Sequence, residues 1–186
     1  INNRRFDFLE MDVSRPLPKL PEVGYVCHLA SPASPVDFDH LATEIMTANA
    51  EGSRHLLEVC REKGARFIFA STSEVYGDPE QHPQVEEYRG NVSTTGPRSC
   101  YDESKRFAEA RIMAYKRQFN VSVGIARIFN TYGPRMRPDD GRIFSNFITQ
   151  AQSNKPITVY GDGTQTRSFC YISDLTVGIM KLMESG

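Results

Sequence analysis

Residues 70–77 read Ala-Ser-Thr-Ser-Glu-Val-Tyr-Gly, and residues 101–105 read Tyr-Asp-Glu-Ser-Lys. These two segments decide how the chain folds. The first segment follows the apolar run at residues 67–69, which predicts a buried strand that ends where hydroxyl groups and a carboxylate begin. An open α/β sheet binds its ligands at the carboxyl ends of its strands, so this polar cluster predicts a site at that edge.

The second segment predicts the start of a helix. Asp102 and Glu103 supply the negative charge that a first turn favours, and apolar residues continue at helical spacing to about residue 119. Tyr101 and Lys105 then lie one turn apart on one face. An ammonium group beside a phenol helps to lower its pKa from ~10 towards neutrality, a change of roughly 4 kcal/mol, which suits a catalytic base. A Tyr-x-x-x-Lys pair is also a common surface feature, and the strand-end hydroxyls favour the catalytic interpretation.

Composition limits the class of protein. The 186 residues are enough for one domain, and 22 basic against 23 acidic side chains leave a net charge of −1. That balance gives no general attraction to nucleic acid or to an anionic membrane. The chain has no apolar run of membrane-spanning length and no signal-peptide pattern at its start, so we expect a cytoplasmic setting. The four cysteines are expected to be reduced thiols, and they share no metal-ligand spacing with the four histidines, so no metal is predicted.

The rest of the chain alternates between strand and helix patterns. A long helix is predicted at residues 38–63 with Gly64 as its stop, and Asn49 lies on its apolar stripe as a structural tie or as part of the site. A polar loop extends to Pro97. Ser173-Asp174 is expected to cap the last helix. Strands are predicted at residues 6–10, 25–30, 66–71, 122–129, 157–160 and 167–172, and a short helix at residues 143–151.

Six segments carry a resemblance to a known family: HLASPASP (28–35), ARFIFASTSEVYGDP (65–79), CYDESKRFAEA (100–110), ARIFNTYGPRM (126–136), DDGRIFSNFI (139–148) and GTQTRSFCYISD (163–174). In this order and spacing they resemble the extended short-chain dehydrogenase/reductase superfamily, and within it the UDP-glucuronate decarboxylases. The resemblance implies an α/β Rossmann-like, doubly wound parallel sheet that is incomplete at its N-terminal end. Residues 1–130 would form a partial NAD-binding domain. Residues 131–186 would form part of a small nucleotide-sugar-binding subdomain, with a crossover back near residues 165–186.

The resemblance also implies roles for individual residues. Tyr101 would take the proton from the sugar C4 hydroxyl while hydride passes to NAD, Lys105 would tune Tyr101 and hold the nicotinamide ribose, and Thr72 would bond O4. Ser73 and Glu74 would serve decarboxylation and reprotonation, and Asn49 would support the site. The cofactor would be bordered by Tyr101, Lys105, Asp12, Val13, Leu29, Ala30, Ser31, Ala70, Ile128 and Thr131. The nucleotide-sugar, UDP-glucuronate, would meet Asn130, Arg142 and Arg167.

Three alternatives remain open. A nucleotide-sugar 4,6-dehydratase of this superfamily usually has Thr-Asp-Glu where this chain has Thr72-Ser73-Glu74, and serine is a poor proton donor. A 4-epimerase would leave Glu74 without an evident task. A non-catalytic remnant would only self-associate, through the helices at residues 38–63 and 101–119 that the resemblance assigns to a homodimer interface.

The resemblance further implies a fragment. The chain begins at about the family's third strand, without a Gly-rich phosphate turn or the acidic residue that follows it, and ends before the family's last segment. We therefore expect the chain alone to bind NAD weakly or not at all, and to be inactive.

Overall fold

The computed structural model describes residues 5–186, so the first four residues of the predicted cofactor domain lie outside the described range. Its main sheet has three parallel strands in the order β1 (Tyr25–His28), β2 (Arg66–Thr72) and β3 (Val123–Ile128). In the register, Cys27 pairs with Ile68 and Phe69 pairs with Ile125. The central strand β2 is covered on both faces, which explains its unbroken apolar run. The parallel α/β arrangement expected from the sequence is confirmed.

Helices follow the strands along the chain. They are α1 (Ala42–Thr47), α2 (Ser53–Lys63), α3 (Ser99–Phe119), α4 (Ile143–Gln152) and α5 (Ile172–Glu184). The helix predicted for residues 38–63 begins only at Ala42, and a π turn at Ala48–Gly52 divides it. A Cβ on Gly52 would lie 3.0 Å from the Val13 side chain, so the absence of a side chain lets the π turn pack closely. Gly64 ends α2 in the left-handed region with φ of 67°, which confirms the predicted stop.

The core lies between the main sheet and helices α2 and α3. Leu57, Phe67, Phe69, Ala108 and Ile112 are fully buried in one cluster. Burying such side chains is the main favourable contribution to folding, at about 1.5–3 kcal/mol each. The cluster therefore sets α3 rigidly against β2, and this positions the two segments that the sequence singles out.

A second, two-stranded parallel sheet pairs β4 (Asn130–Tyr132) with β5 (Phe169–Tyr171). Helix α4 packs beside it, with the Phe144 ring stacked on Tyr132 at 4.1 Å between centroids. Helix α5 returns to the main sheet, where its Leu182 carbonyl accepts a hydrogen bond from Arg66 at 3.1 Å. The division of the chain at residue 130 stays a prediction.

Four expectations about local structure are wrong. Residues 6–10 and 157–160 form no strand. An alternating pattern does not by itself provide the neighbouring strand with which the backbone N–H and C=O groups would bond. The large apolar side chains of both segments are largely exposed. The strand predicted at 167–172 is limited to residues 169–171. The last helix begins at Ile172 after Tyr171, so Ser173 and Asp174 lie inside its first turn and do not cap it.

No helix in the described part of the chain is long and apolar enough to cross a membrane. Within residues 5–186, no group of histidine, cysteine and acidic side chains is placed to hold a metal ion. All four cysteines are free.

Candidate active site

The polar segment after β2 forms a tight turn at the carboxyl end of the central strand. Residues Ser73–Tyr76 make one 3₁₀ turn, and the backbone N–H of Glu74 donates to the buried Thr72 hydroxyl at 3.2 Å. The Ser73 hydroxyl lies 3.4 Å from a Glu74 carboxylate oxygen, to which it donates. Thr72, Ser73 and Glu74 therefore lie together at the sheet edge where the sequence placed a site.

Helix α3 brings the Tyr101 and Lys105 side chains to the same edge. Both are buried, and the Lys105 ammonium donates to the Ala70 carbonyl at 2.8 Å. Its Nζ lies 5.7 Å from the Tyr101 ring centroid and 4.7 Å from that of Phe69. The helix begins at Ser99, two residues before the predicted start, so the pair occupies its first two turns.

The electrostatics of this pair differ from the sequence expectation. Burial raises the pKa of Tyr101, because the phenolate loses hydration, while the Thr72 hydroxyl and the Arg142 guanidinium act in the opposite direction. Burial also lowers the pKa of Lys105 to about 8. Desolvation is thus the largest influence on the Tyr101 pKa in this structure, and the tuning of Tyr101 by Lys105 stays a prediction.

Asn49 connects three elements around the pair. Its amide donates to the Ser31 hydroxyl at 3.1 Å and to the Ser104 hydroxyl at 3.0 Å, and Ser104 donates to the Tyr101 carbonyl at 3.0 Å. The residue is fully buried in the π turn. The two hydrogen bonds of the Asn49 amide nitrogen join the segment after β1 to helix α3, which supports a structural tie, while its buried Oδ1 has no partner among the described residues, so a direct role in the site stays open.

Six of the residues expected to border the cofactor lie along or beside the main sheet and its following segments. Leu29, Ala30 and Ser31 follow β1 directly, and Ala70 lies in β2. Ile128 ends β3, and in β4 the Thr131 hydroxyl donates to the Phe129 carbonyl at 3.1 Å. The Lys105 ammonium has three N–H donors, one of which donates to the Ala70 carbonyl. The other donors could bond a ligand. An uncovered Leu29 at the same edge is also consistent with a bound dinucleotide.

Asp12 and Val13 belong to the irregular N-terminal segment. The exposed Asp12 carboxylate accepts from the Ser14 backbone at 2.9 Å and from the Ser14 hydroxyl at 2.7 Å. These bonds lower its pKa. The Val13 carbonyl lies 3.1 Å from His55 Nδ1. The segment is thereby attached to helix α2.

The three residues expected to meet the sugar nucleotide have different settings. Arg142 is near enough to Tyr101 to influence its pKa, and its guanidinium makes two bonds to Asp140, one at 2.8 Å. The Asn130 amide donates to the Ser168 carbonyl at 3.0 Å. Arg167 is exposed and donates to the Thr166 carbonyl at 2.7 Å. Of these three, only Arg142 has a recorded interaction with the Tyr101 group.

Sequence reasoning missed the arginines that hold the site. Arg98 pairs with the Glu74 carboxylate. Arg106 donates to the Val75 carbonyl at 2.7 Å and to the Arg89 carbonyl at 2.9 Å. Arg127 donates to Glu109 at 2.7 Å and to the Tyr76 hydroxyl at 2.9 Å. The only sequence signal was their position inside or beside the family-like segments, and each partner is remote in sequence.

A parallel sheet with strand-end hydroxyls and a buried Tyr/Lys pair on the adjoining helix defines a Rossmann-fold protein of the short-chain dehydrogenase/reductase type. The sequence profile of the NAD dependent epimerase/dehydratase family matches residues 2–186, and the chain belongs to that family.

Named relatives narrow the comparison. The chain is 55% identical over 183 residues to UDP-glucuronic acid decarboxylase 4 of Arabidopsis thaliana, covering 98% of this chain and 41% of that protein. It is 50% identical over 185 residues to UDP-glucuronic acid decarboxylase 1 of Xenopus tropicalis, covering 100% of this chain and 44% of that protein. The chain thus spans less than half the length of these two relatives.

Among solved structures, the chain is similar to the UDP-glucuronic acid 4-epimerase of Bacillus cereus in complex with NAD. The identity is 33%, the TM-score is 0.76, and the match covers 97% of this chain and 57% of the epimerase. This likeness confirms the Rossmann-type fold expected from the sequence.

Proposed function

We propose that a protein carrying this chain decarboxylates UDP-glucuronate to UDP-xylose in an NAD-dependent reaction through a 4-keto intermediate. One observation carries the proposal: the Thr72-Ser73-Glu74 turn lies beside the buried Tyr101 and Lys105 pair. The names of the relatives at 50–55% identity support it.

The residues at the sheet edge suit a dinucleotide. Lys105 would hold the nicotinamide ribose with its remaining N–H donors. The edge that would receive the cofactor is lined by Leu29, Ala30, Ser31, Ala70, Ile128 and Thr131, and Asp12 and Val13 are assigned to the adenine. When bound, NAD supplies an acceptor for the C4 hydride and later returns it.

Tyr101 takes the proton of the C4 hydroxyl, while Thr72 donates a hydrogen bond to O4. Thr72 and Arg142 favour the phenolate form, which offsets part of the effect of burial. Oxidation at C4 places a ketone β to the carboxylate on C5. The C5–carboxylate bond then breaks, and its electron pair enters an enolate with the charge on O4.

Ser73 and Glu74 act after the bond breaks. A solvent proton relayed by Ser73 and Glu74 would add to C5, and Tyr101 would return its proton to O4 when the C4 ketone is reduced again, so the overall reaction would consume one proton and no net redox equivalent. A serine between Thr72 and Glu74 favours this sequence over dehydration, since it is a poor acid for expelling a C6 hydroxyl. Asn130, Arg142 and Arg167 are assigned to the nucleotide-sugar, with the arginines on its diphosphate.

The 4-epimerase remains the second candidate, because the solved epimerase covers 97% of the chain. Both reactions begin with oxidation at C4, and they differ in the fate of the carboxylate. Product analysis separates them, since an epimerase retains the carboxylate and the decarboxylase releases it.

The test uses a protein that carries this chain together with the segments present in its relatives. Supplied with carboxyl-labelled UDP-glucuronate and NAD, it is expected to release labelled CO₂ and form UDP-xylose. Tyr101→Phe abolishes both oxidation and CO₂ release, because the first step makes the second possible. Glu74→Gln slows the later steps and lets a 4-keto intermediate accumulate.

Tyr115→Phe is the matched control, since Tyr115 lies on the same helix with its hydroxyl bonded to Glu58 at 2.5 Å. It is expected to retain normal CO₂ release. Normal release by Tyr101→Phe, or dehydration of UDP-glucose with no action on the glucuronate, contradicts the proposal.

We also propose that the protein forms a homodimer through helices α1, α2 and α3. Exposed apolar side chains on these helices or at their ends support this, namely Leu41, Met46, Phe107 and Met113.

Weak NAD binding by the 186-residue chain alone and a cytoplasmic setting stay predictions from the sequence, to be tested by calorimetric titration and by cell fractionation.

A further inference from the structure

We propose that Arg98 and Asp102 are positioning residues for Glu74, with the Arg98 guanidinium shared between two carboxylates. This inference rests on the proposed function, in which Glu74 acts after C–C bond cleavage. It assigns a task to two residues outside the Tyr101, Lys105 and Thr72 group.

The geometry of Arg98 makes it a bridge. It precedes helix α3, its Nη2 donates to a Glu74 oxygen, and its Nε lies 3.9 Å from an Asp102 oxygen. Its guanidinium also lies over the Phe38 ring, 5.3 Å from the centroid, which restricts its orientation. One cation therefore connects the turn that carries Glu74 to the first turn of the helix that carries Tyr101.

Asp102 is the buried member of this group. Its side chain is 9% exposed, against 35% for Glu74, and its Oδ1 has no hydrogen-bond partner among the described residues. Burial raises the pKa of Asp102 to about 6, with the Glu74 and Glu103 carboxylates adding to the rise and Arg98 opposing it. The charge of Asp102 thus changes near pH 6, and with it the number of ionised carboxylates that share the Arg98 guanidinium.

The three side chains line one open cavity. Its volume is about 440 Å³, and the Asp78 carboxylate is the fourth charged group along its wall. Glu103, on the same helix, is directed to Arg106 at 3.6 Å and does not line the cavity. The Arg98 and Glu74 pair is therefore accessible to small solutes, while Asp102 approaches it from the protein side.

The ion pairs of Arg98 contribute little to the free energy of folding, so stability alone does not explain them. The Arg98 side chain is 44% exposed, and ion pairs with that much solvent contribute little to folding. Variants at Arg98 are therefore expected to fold. A misplaced catalytic group, in contrast, can lower a rate by about 10²-fold.

The first experiment measures coupling without using turnover. Carboxyl carbons of Glu and Asp are labelled with ¹³C in this protein and followed by NMR through a pH titration. The Glu74 signal is expected to show a step at the pH where Asp102 titrates, and the step disappears in Asp102→Asn. Glu103→Gln, which removes a neighbouring charge from the same helix turn, retains it. A Glu74 signal with no such step in the unmodified protein overturns the proposal.

The second experiment measures rates in the protein carrying the relatives' additional segments. Arg98→Met is expected to lower kcat by roughly tenfold or more with KM changed by less than about threefold, and Arg98→Lys to recover part of the loss. Asp102→Asn removes the rate step near the pH at which Asp102 titrates. If Arg98→Met retains full kcat while Tyr101→Phe is inactive, the positioning role is wrong and the proposed function stands.

The remaining outcomes are also decisive. If the unmodified protein releases no CO₂, the proposed function fails, and the NMR titration still decides whether Asp102 and Glu74 are coupled. If Arg98→Met fails to fold, as judged by thermal melting, Arg98→Lys and Asp102→Asn decide the role by the same rate and pH criteria.

Discussion

At the residue scale, burial of the charged Lys105 side chain lowers the stability of the folded chain. A buried ammonium that makes one hydrogen bond to protein is disfavoured relative to the same group in water, and this is why the pKa of Lys105 falls to about 8. The same shift makes the side chain responsive to a ligand that adds hydrogen bonds. If Lys105 has the role given to it in the proposed function, function and stability oppose each other at this position.

We predict that Lys105→Met stabilises the chain near neutral pH. The pKa of Lys105 falls from 10.5 to about 8 on folding, and each pKa unit corresponds to about 1.4 kcal/mol, so the charge costs about 3 kcal/mol. Loss of the bond to Ala70 offsets about 1 kcal/mol. The unmodified chain becomes more stable as pH rises from about 8 to 10.5, because the unfolded state then binds more protons, and the variant lacks this slope. Urea unfolding at several pH values measures the stability difference and its pH dependence. A Lys105→Met variant that is less stable than the unmodified chain near neutral pH contradicts the prediction.

His28 and Asp102 are predicted to have opposite effects on acid stability. Burial lowers the pKa of His28 from 6.5 to about 4, so the unfolded state binds the extra proton and stability falls as pH decreases through that range. Burial raises the pKa of Asp102 from 3.8 to about 6, so the folded state binds the extra proton and stability rises over nearly the same range. Each effect corresponds to about 3 kcal/mol, and together they nearly cancel.

Single variants separate the two effects. No hydrogen bond to the His28 ring nitrogens meets the geometric limits among the described residues, although the Ala48 backbone is close enough to affect its pKa. The ring packs against Phe67 and Phe69, so we expect His28→Leu to be tolerated. Relative to the unmodified chain, His28→Leu gains stability on acidification from about pH 7 to about pH 4, and Asp102→Asn loses it. Glu103→Gln serves as the control with little change. Parallel pH profiles for all four proteins are incompatible with these assignments.

At the scale of elements, the turn after β2 is held by a close backbone approach. Gly77 has φ of 65°, and a Cβ at this position would lie 2.0 Å from the Asn91 carbonyl oxygen. Backbone bonds flank this contact, from Asn91 to the Tyr76 carbonyl and from Asp78 to the Asn91 carbonyl, both at 2.9 Å. The long polar loop therefore returns to the Glu74 turn at a point where only glycine is accommodated.

We predict that Gly77→Ala destabilises the chain by about 2 kcal/mol or more, because it combines a positive φ with a backbone clash. Gly178→Ala is the matched control: Gly178 lies in helix α5 with open space around it. That control is expected to gain up to about 1 kcal/mol. Thermal and urea unfolding measure both changes, and equal stabilities of the two variants would refute the role given to Gly77.

At the scale of the whole molecule, exposed apolar side chains on helices α1 and α3 are the main argument for self-association. Met46 is 47% exposed and Phe107 is 48% exposed, although each lies within a helix whose opposite face is buried. A second copy that covers both helices removes these side chains from water.

We predict that the chain is dimeric at about 10–100 μM and that Phe107→Glu or Met113→Glu makes it monomeric, because a buried unpaired charge is strongly unfavourable. Val177→Glu is the control, since Val177 is 51% exposed on α5, outside the proposed interface. Light scattering measures the mass. A monomeric unmodified chain, or Glu variants with the dimer mass, rules out this interface.

The sequence by itself determined the features that local patterns encode. The apolar run of β2, the glycine stop at residue 64 and the spacing of Tyr101 and Lys105 predicted elements that the structure confirms. Each depends on residues close together in the chain, where periodicity and backbone preference act directly. The family-like segments predicted the fold class by the same local information, repeated in order.

Tertiary structure decided what depends on distant partners and on water. Residues 6–10 form no strand, since none pairs with them, and Asn49 bonds residues 18 and 55 positions away. The direction of the Tyr101 pKa shift followed from desolvation, which no spacing rule contains. Arg98 pairs with Glu74, 24 residues earlier in the chain, because the packing of α3 against β2 brings the two segments together.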